Sequence, residues 1–211
     1  MLSEESLAYY RAHQPIGCRD RHTAELLRAN GVEALESHCL TLTFPRRLPA
    51  ASQSEIFVVS RDDRLAAALP ASLGPFTSIL HYSGDTDFMR NMVRARAPLE
   101  TYRDRARLIV TSLLHCALPA LAMGIPVVIF YPLNTPEGHA SDRERFSSLE
   151  SLVPIWQIDR MDEVQWSPVP PDVGAIKLSL IDHISERLDR MGRSAIRTLG
   201  PIASASALPP L

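Results

Sequence analysis

Apolar residues recur along this chain in two rhythms, and the switches between them mark out the elements. Residues 15–18 form a short apolar run. Asp20 then stands at an N-cap position, and Ala24, Leu26 and Leu27 carry a helix that Gly31 stops. A second short strand is expected near residues 32–34. In residues 39–44 Leu40, Leu42 and Phe44 alternate with Thr41 and Thr43, which predicts an extended segment closed by Pro45. Residues 45–54 are rich in proline and small polar residues and read as a linker.

Beyond the linker the pattern is more regular. Residues 56–59 are a continuous apolar strand, Ser60 with Asp63 forms a capping box, and Leu65, Ala68 and Leu69 carry a helix that Pro70 ends. Residues 77–82 give the next strand. Residues 85–107 give a long charged helix with Phe88, Met92, Leu99, Tyr102 and Ala106 as its inner positions and Pro98 as a point where it could divide. Residues 108–110 read as a buried strand, Ser112 as an N-cap, residues 113–123 as an almost wholly apolar helix stopped by Gly124, and residues 127–131 as another buried strand. Residues 132–151 read as a long polar loop and 155–158 as a strand. Asp172 caps a last helix with the stripe Ile176, Leu180, Ile184, Leu188 and Met191.

Continuous apolar strands alternating with helices predict an α/β fold, a Rossmann-like parallel sheet with helices on both faces, preceded by a partial N-terminal α/β segment. The expected division is an N-terminal segment 1–48, a donor-binding domain 49–195 and a disordered tail 196–211. In such sheets ligands sit beyond the carboxyl ends of the strands. That rule directs attention to Ser60 and Arg61, residues 81–85, residues 111–115 and residues 132–145.

Composition narrows the partners. The chain has 211 residues, 45% of them hydrophobic and 22% charged, which suits a globular protein with a sizeable core. Its longest apolar run, around residues 117–130, is broken by Pro119, Gly124 and Pro126, and this argues against a transmembrane span. A net charge of −2 lacks the basic footprint of a nucleic-acid-binding protein. Cys18, Cys39 and Cys116 are widely spaced and show no ligand spacing, so they read as buried thiols, and no metal or cofactor is expected. The start MLSEESLAYYRAHQ has no signal-peptide pattern, which places the expected location in the cytoplasm. Lys177 is the single lysine among 22 basic residues, the rest being arginine. The arginines are dispersed, and only those at strand ends bear on a site.

Two strand-to-helix turns concentrate the candidate chemistry. At Thr111-Ser112-Leu113-Leu114-His115 the free N–H groups of a helix start face the carboxyl edge of the sheet, an anion site to which Ser112 and Leu114 contribute. His115 in that turn is able to donate to an anionic oxygen or to take a proton. At Gly17-Cys18-Arg19-Asp20, Asp20 is explained as a cap, whereas Arg19 is placed for a carboxylate or a phosphate.

The segments PIGCRDRHTAELLRANGV with SHCLTLTF, and RLIVTSLLHCALPALAMGIPVVIFY, resemble the two signature regions of the polysaccharide pyruvyl transferase family. The stretch 94–102 leading into Ala106, and 142–146, are similar in spacing to its remaining motifs. The resemblance covers about residues 10–150. It implies one part of a two-domain GT-B-type fold and transfer of pyruvate from phosphoenolpyruvate to a sugar of an exported or cell-surface polysaccharide. His115 matches the family's histidine, acting as acid or phosphate ligand, and Arg19 matches its donor-side arginine. Leu113 departs from the family's usual arginine, and Arg61 or Arg145 is then expected to supply the missing cation. The family carries a longer N-terminal domain, so an incomplete acceptor wall is expected, filled by a partner or a second copy or left open. The alternatives are a GT-B glycosyltransferase using a nucleotide sugar and a non-catalytic homologue that binds a partner.

Overall fold

The computed structural model describes residues 2–61, 63–80, 86–132 and 141–190. The chain opens with α1 (Glu4–Ala12), β1 (Ile16–Cys18), α2 (Arg21–Ala29) and β2 (Ala34–Glu36). β1 and β2 pair in parallel, and Leu7, Cys18, Ala24, Leu27, Val32 and Ala34 bury against one another beneath them. α1 is an element that the polar opening sequence did not announce. Its Ser3 cap accepts from Ser6 N, and Leu7 is its one buried residue, so tertiary packing rather than an apolar stripe holds it.

Six further strands and helices alternate before the chain reaches its last segments: β3 (Glu55–Val59), α3 (Asp63–Ala68), β4 (Thr77–Ile79), α4 (Phe88–Arg105), β5 (Ala106–Thr111) and α5 (Leu114–Ala122). β6 (Val127–Phe130), α6 (Ser141–Glu144), β7 (Ile155–Trp156) and α7 (Gly174–Arg190) follow. β3 to β7 form a parallel sheet in the order β4-β3-β5-β6-β7. Alternate residues of its central strands feed two cores. Ile56, Val58, Leu108, Val110, Val128 and Phe130 pack on one face with Leu65 of α3, while Phe57, Val59, Ile109, Val127 and Ile129 pack on the other with α5, Tyr102 of α4 and Leu180 of α7. This is the Rossmann-like α/β sheet with helices on both faces that the apolar runs predicted.

The strand order fixes where a ligand can sit. The connection from β3 through α3 to β4 runs over one face, whereas those from β4 through α4 to β5, and from β5 through α5 to β6, run over the other. The chain therefore departs in opposite directions from β3 and β5, leaving a crevice beyond their carboxyl ends.

Several local expectations need correction. Residues 39–44 are not extended: Leu40–Thr43 is a 3-10 turn that sends Leu42 fully into the main core, where burial outweighs the strand pattern. In α4, Phe88 (72% exposed) and Met92 face solvent, and only the C-terminal half, through Leu99 and Tyr102, packs inward. Pro98 lies inside α4 without dividing it. The cap of α5 is Leu113, not Ser112. Within the stretch read as a polar loop, Phe146 and Leu149 are buried, as is Val153 just beyond it. β7 ends at Trp156 and gives way to a 3-10 segment, Ile158–Glu163. Residues 81–85, Met191 and the tail 196–211 lie outside the described residues.

Candidate functional site

α5 is embedded almost entirely. Eight of its nine residues are buried, and the exception is His115, exposed in the first turn. An all-apolar helix with one polar residue at its start needs a reason other than packing for that residue. The turn leading into the helix is rigid. Thr111, fully buried at the end of β5, donates through Oγ1 to Val59 O at 2.6 Å, and the same oxygen accepts from Leu113 N at 3.0 Å. Ser112 Oγ lies 3.0 Å from Ser60 Oγ, joining the ends of β5 and β3 across the crevice. Leu113 holds the extended cap conformation but has no oxygen to offer, so no side chain caps α5. Its start keeps the positive end of the helix dipole facing the crevice.

The second turn lies against the first. Asp20, 6% exposed, accepts from Thr23 N through Oδ1 at 2.8 Å and is the N-cap of α2. Ser148 Oγ accepts from Arg21 N at 2.9 Å and Ser147 Oγ from His22 N at 3.0 Å, so protein oxygens occupy the start of α2. Arg19, just before it, reaches across to α5. Its Nη1 is 3.4 Å from His115 Nε2, its Nη2 is 3.7 Å from Asp20 Oδ2, and its Nε is buried without a hydrogen-bond partner among the described residues. A guanidinium has no acceptor atom, so this contact uses the Nε2 lone pair and places the proton of the neutral imidazole on Nδ1.

Arg19 also lines a small pocket with His38, Cys39, Leu114, Arg145 and Ser148. His38 adopts a left-handed backbone (φ 61°), and its Nδ1 lies 3.8 Å from Glu36 Oε1. Thr41 donates to Cys39 Sγ at 3.2 Å. Burial pushes the Cys39 thiol up, but hydrogen bonds from His115 and Thr41 together outweigh it and bring the group down from 9.0 to about 7.

The structure thus brings Arg19, His115, Leu114 and Arg145 into one neighbourhood. Ser112 turns to Ser60 instead, and Arg61 stands exposed beyond β3 without lining the pocket. Cys39 was expected to be a buried core thiol and is half-buried at the pocket. Neither it nor His38 was legible as a site residue, because SHCLTLTF reads as alternating strand. The sequence signal that could have found them is the Ser-His-Cys-Leu-Thr cluster of polar and thiol groups directly after a strand. No group of three or more His, Cys, Asp or Glu side chains among the described residues could hold a metal ion. No helix among those residues is long and apolar enough to cross a membrane.

A family model described as Polysaccharide pyruvyl transferase matches residues 3–134, a span that contains Arg19, Cys39, Leu113 and His115. No curated protein and no solved structure matches the chain. The match extends over more than half of the sequence, and the chain belongs to that family.

Proposed function

From membership in the polysaccharide pyruvyl transferase family, a family of transferases, we propose that this chain transfers pyruvate from phosphoenolpyruvate to a sugar of an exported or cell-surface polysaccharide, working in the cytoplasm where that donor is made. The donor phosphate sits at the uncapped start of α5, where N–H groups and the dipole favour an anion. Arg19 clamps it from the neighbouring turn, and Arg145, on the pocket wall, takes the donor carboxylate. His115 contacts the phosphate or moves a proton at the reacting centre.

The observation that carries this reading is the 3.4 Å approach of Arg19 Nη1 to His115 Nε2, which joins residues 96 positions apart at the mouth of an uncapped helix. Leu113 supplies neither charge nor donor, so the cationic clamp on this side is Arg19 with Arg145. The site draws on both segments that the sequence set apart, Arg19 from 1–48 and His115 and Arg145 from 49–195.

Isothermal calorimetry with phosphoenolpyruvate tests the reading. The wild type binds, and His115→Ala binds at least tenfold more weakly. Equal binding by both, or none by either, removes the site. Binding of UDP- or GDP-sugars without phosphoenolpyruvate moves the assignment to nucleotide-sugar transfer.

A further inference from the structure

The three cysteines occupy three different environments. Cys116 lies wholly inside α5, and burial pushes its thiol up to about 12. Cys18 is buried under the two-stranded sheet, and desolvation raises it, helped by the nearby Asp20. Cys39 is the one on a pocket wall, and there it is surrounded by groups that act on a thiol. Thr41 donates to its sulfur at 3.2 Å, and His115 is hydrogen-bonded to it. Arg19, His38 and Arg145 line the same pocket, so the charged and titratable groups facing it come from the β1–α2 turn, the end of β2, the start of α5 and the segment after α6. With Nε2 of His115 turned to Arg19, Nδ1–H is the donor that its ring has left. The geometry is that of a thiol–imidazole pair backed by a guanidinium, not of a solitary cysteine.

We propose that Cys39 is a proton-transferring residue of this site, delivering a proton to the methylene carbon of the enolpyruvyl donor and recovering one from the acceptor. The assignment rests on the phosphoenolpyruvate reading above. Forming a pyruvate ketal requires that the donor's CH2 become CH3 while two acceptor oxygens bond to the neighbouring carbon. The Cys39 S–H proton goes to the methylene carbon as the first acceptor hydroxyl adds to the adjacent carbon, and that hydroxyl's proton passes to Nε2 of His115, which Arg19 releases as its guanidinium turns to the donor phosphate. The bond from that carbon to the phosphate oxygen then breaks, and inorganic phosphate leaves with the proton from His115. The second hydroxyl adds to the same carbon and returns its proton to the Cys39 thiolate. One donor and one diol become one ketal and one phosphate, with both side chains restored and no oxidant or reductant required. A thiol that titrates near neutrality is matched to this work, because it can both give and take a proton at working pH.

Alkylation of the full-length protein with iodoacetamide, followed by peptide mass spectrometry, tests the assignment alongside phosphoenolpyruvate calorimetry. The Cys39 peptide is modified faster than those of Cys18 and Cys116, with a midpoint near pH 7. Saturating phosphoenolpyruvate slows its modification at least tenfold. His115→Ala and Thr41→Val each move the midpoint upward. In parallel, Cys39→Ser binds phosphoenolpyruvate within threefold of wild type but releases phosphate, in the presence of mixed methyl hexopyranosides, at least a hundredfold more slowly. If bound phosphoenolpyruvate leaves the alkylation rate unchanged, or Cys39→Ser keeps the wild-type rate, Cys39 has no such role while the donor reading stands. If the wild type shows no calorimetric binding, the donor reading itself falls and takes this assignment with it.

Discussion

The two strand-to-helix turns that meet at the pocket are built alike and finished differently. At the β1–α2 turn, Asp20, Ser148 and Ser147 fill the start of the helix with protein oxygens. At the β5–α5 turn the corresponding side chains look elsewhere: Thr111 to Val59, Ser112 to Ser60, and Leu113 to neighbouring apolar groups. The first end is closed and structural. The second is open, and its one exposed side chain is the histidine. A helix start that is well capped has spent its anion-binding capacity on its own chain, whereas the uncapped one keeps its N–H groups free of side-chain partners. Arg19 belongs to the closed turn in sequence but serves the open one in space.

The largest effect that can break this contrast is on Arg19. Arg19→Ala weakens phosphoenolpyruvate binding by about 2–3 kcal/mol, roughly 30- to 150-fold in Kd by calorimetry, because a charge-assisted pair is lost. A change under threefold would return Arg19 to a surface partner of Asp20. Next comes the body of α5, whose complete burial is absent from α2, where only Ala24 and Leu27 are buried. The folded Cys116 thiol ionises near 12 and the unfolded one near 9.0. Its contribution to stability is therefore complete below about pH 9 and is lost as pH rises toward 12, at about 1.4 kcal/mol per pH unit. Urea midpoints measured from pH 7 to 10 show this decline in the wild type and a flatter one in Cys116→Ala, compared each with its own value at pH 7.

A smaller effect separates stability from binding. Asp20→Ala removes the α2 cap and costs about 1 kcal/mol, a fall of a few degrees in Tm, while phosphoenolpyruvate affinity changes less than threefold. Should Asp20→Ala lose as much affinity as Arg19→Ala, the two ends do not differ as described. The smallest test makes the open end resemble the closed one. Leu113→Asn places a capping oxygen at the start of α5, where the backbone is already extended, and weakens phosphoenolpyruvate binding about threefold with little change in Tm.

Elements whose signals are local were legible in the sequence. β3, β5 and β6 are runs of apolar residues with no alternative to burial on both faces, and Gly31 and Gly124, at φ 72° and 73°, end α2 and the α5 turn where a Cβ would be strained. The position of the α5 start was legible for the same reason: a buried strand running directly into a buried helix leaves N–H groups at the sheet edge. Legibility failed where a residue's partner is distant. Thr41 and Thr43 alternate as strand residues do, yet burial of Leu42 against the main core winds them into a 3-10 turn and swings Cys39 to the pocket. Phe88 and Met92 fit a helical stripe, but both side chains stand exposed.

The amino-acid sequence by itself determined the parallel α/β sheet, the crevice-edge position of His115 and the family resemblance, because periodicity, capping and turn residues act over a few neighbours. Only the tertiary structure decided that Arg19 meets His115, that Ser112 serves Ser60 rather than α5, and that Ser147 and Ser148 cap a helix more than a hundred residues away. The first and last of those contacts join the N-terminal segment to the larger sheet, and the second depends on β3 and β5 being neighbours; both arrangements are settled by the burial of whole faces, which no local pattern encodes.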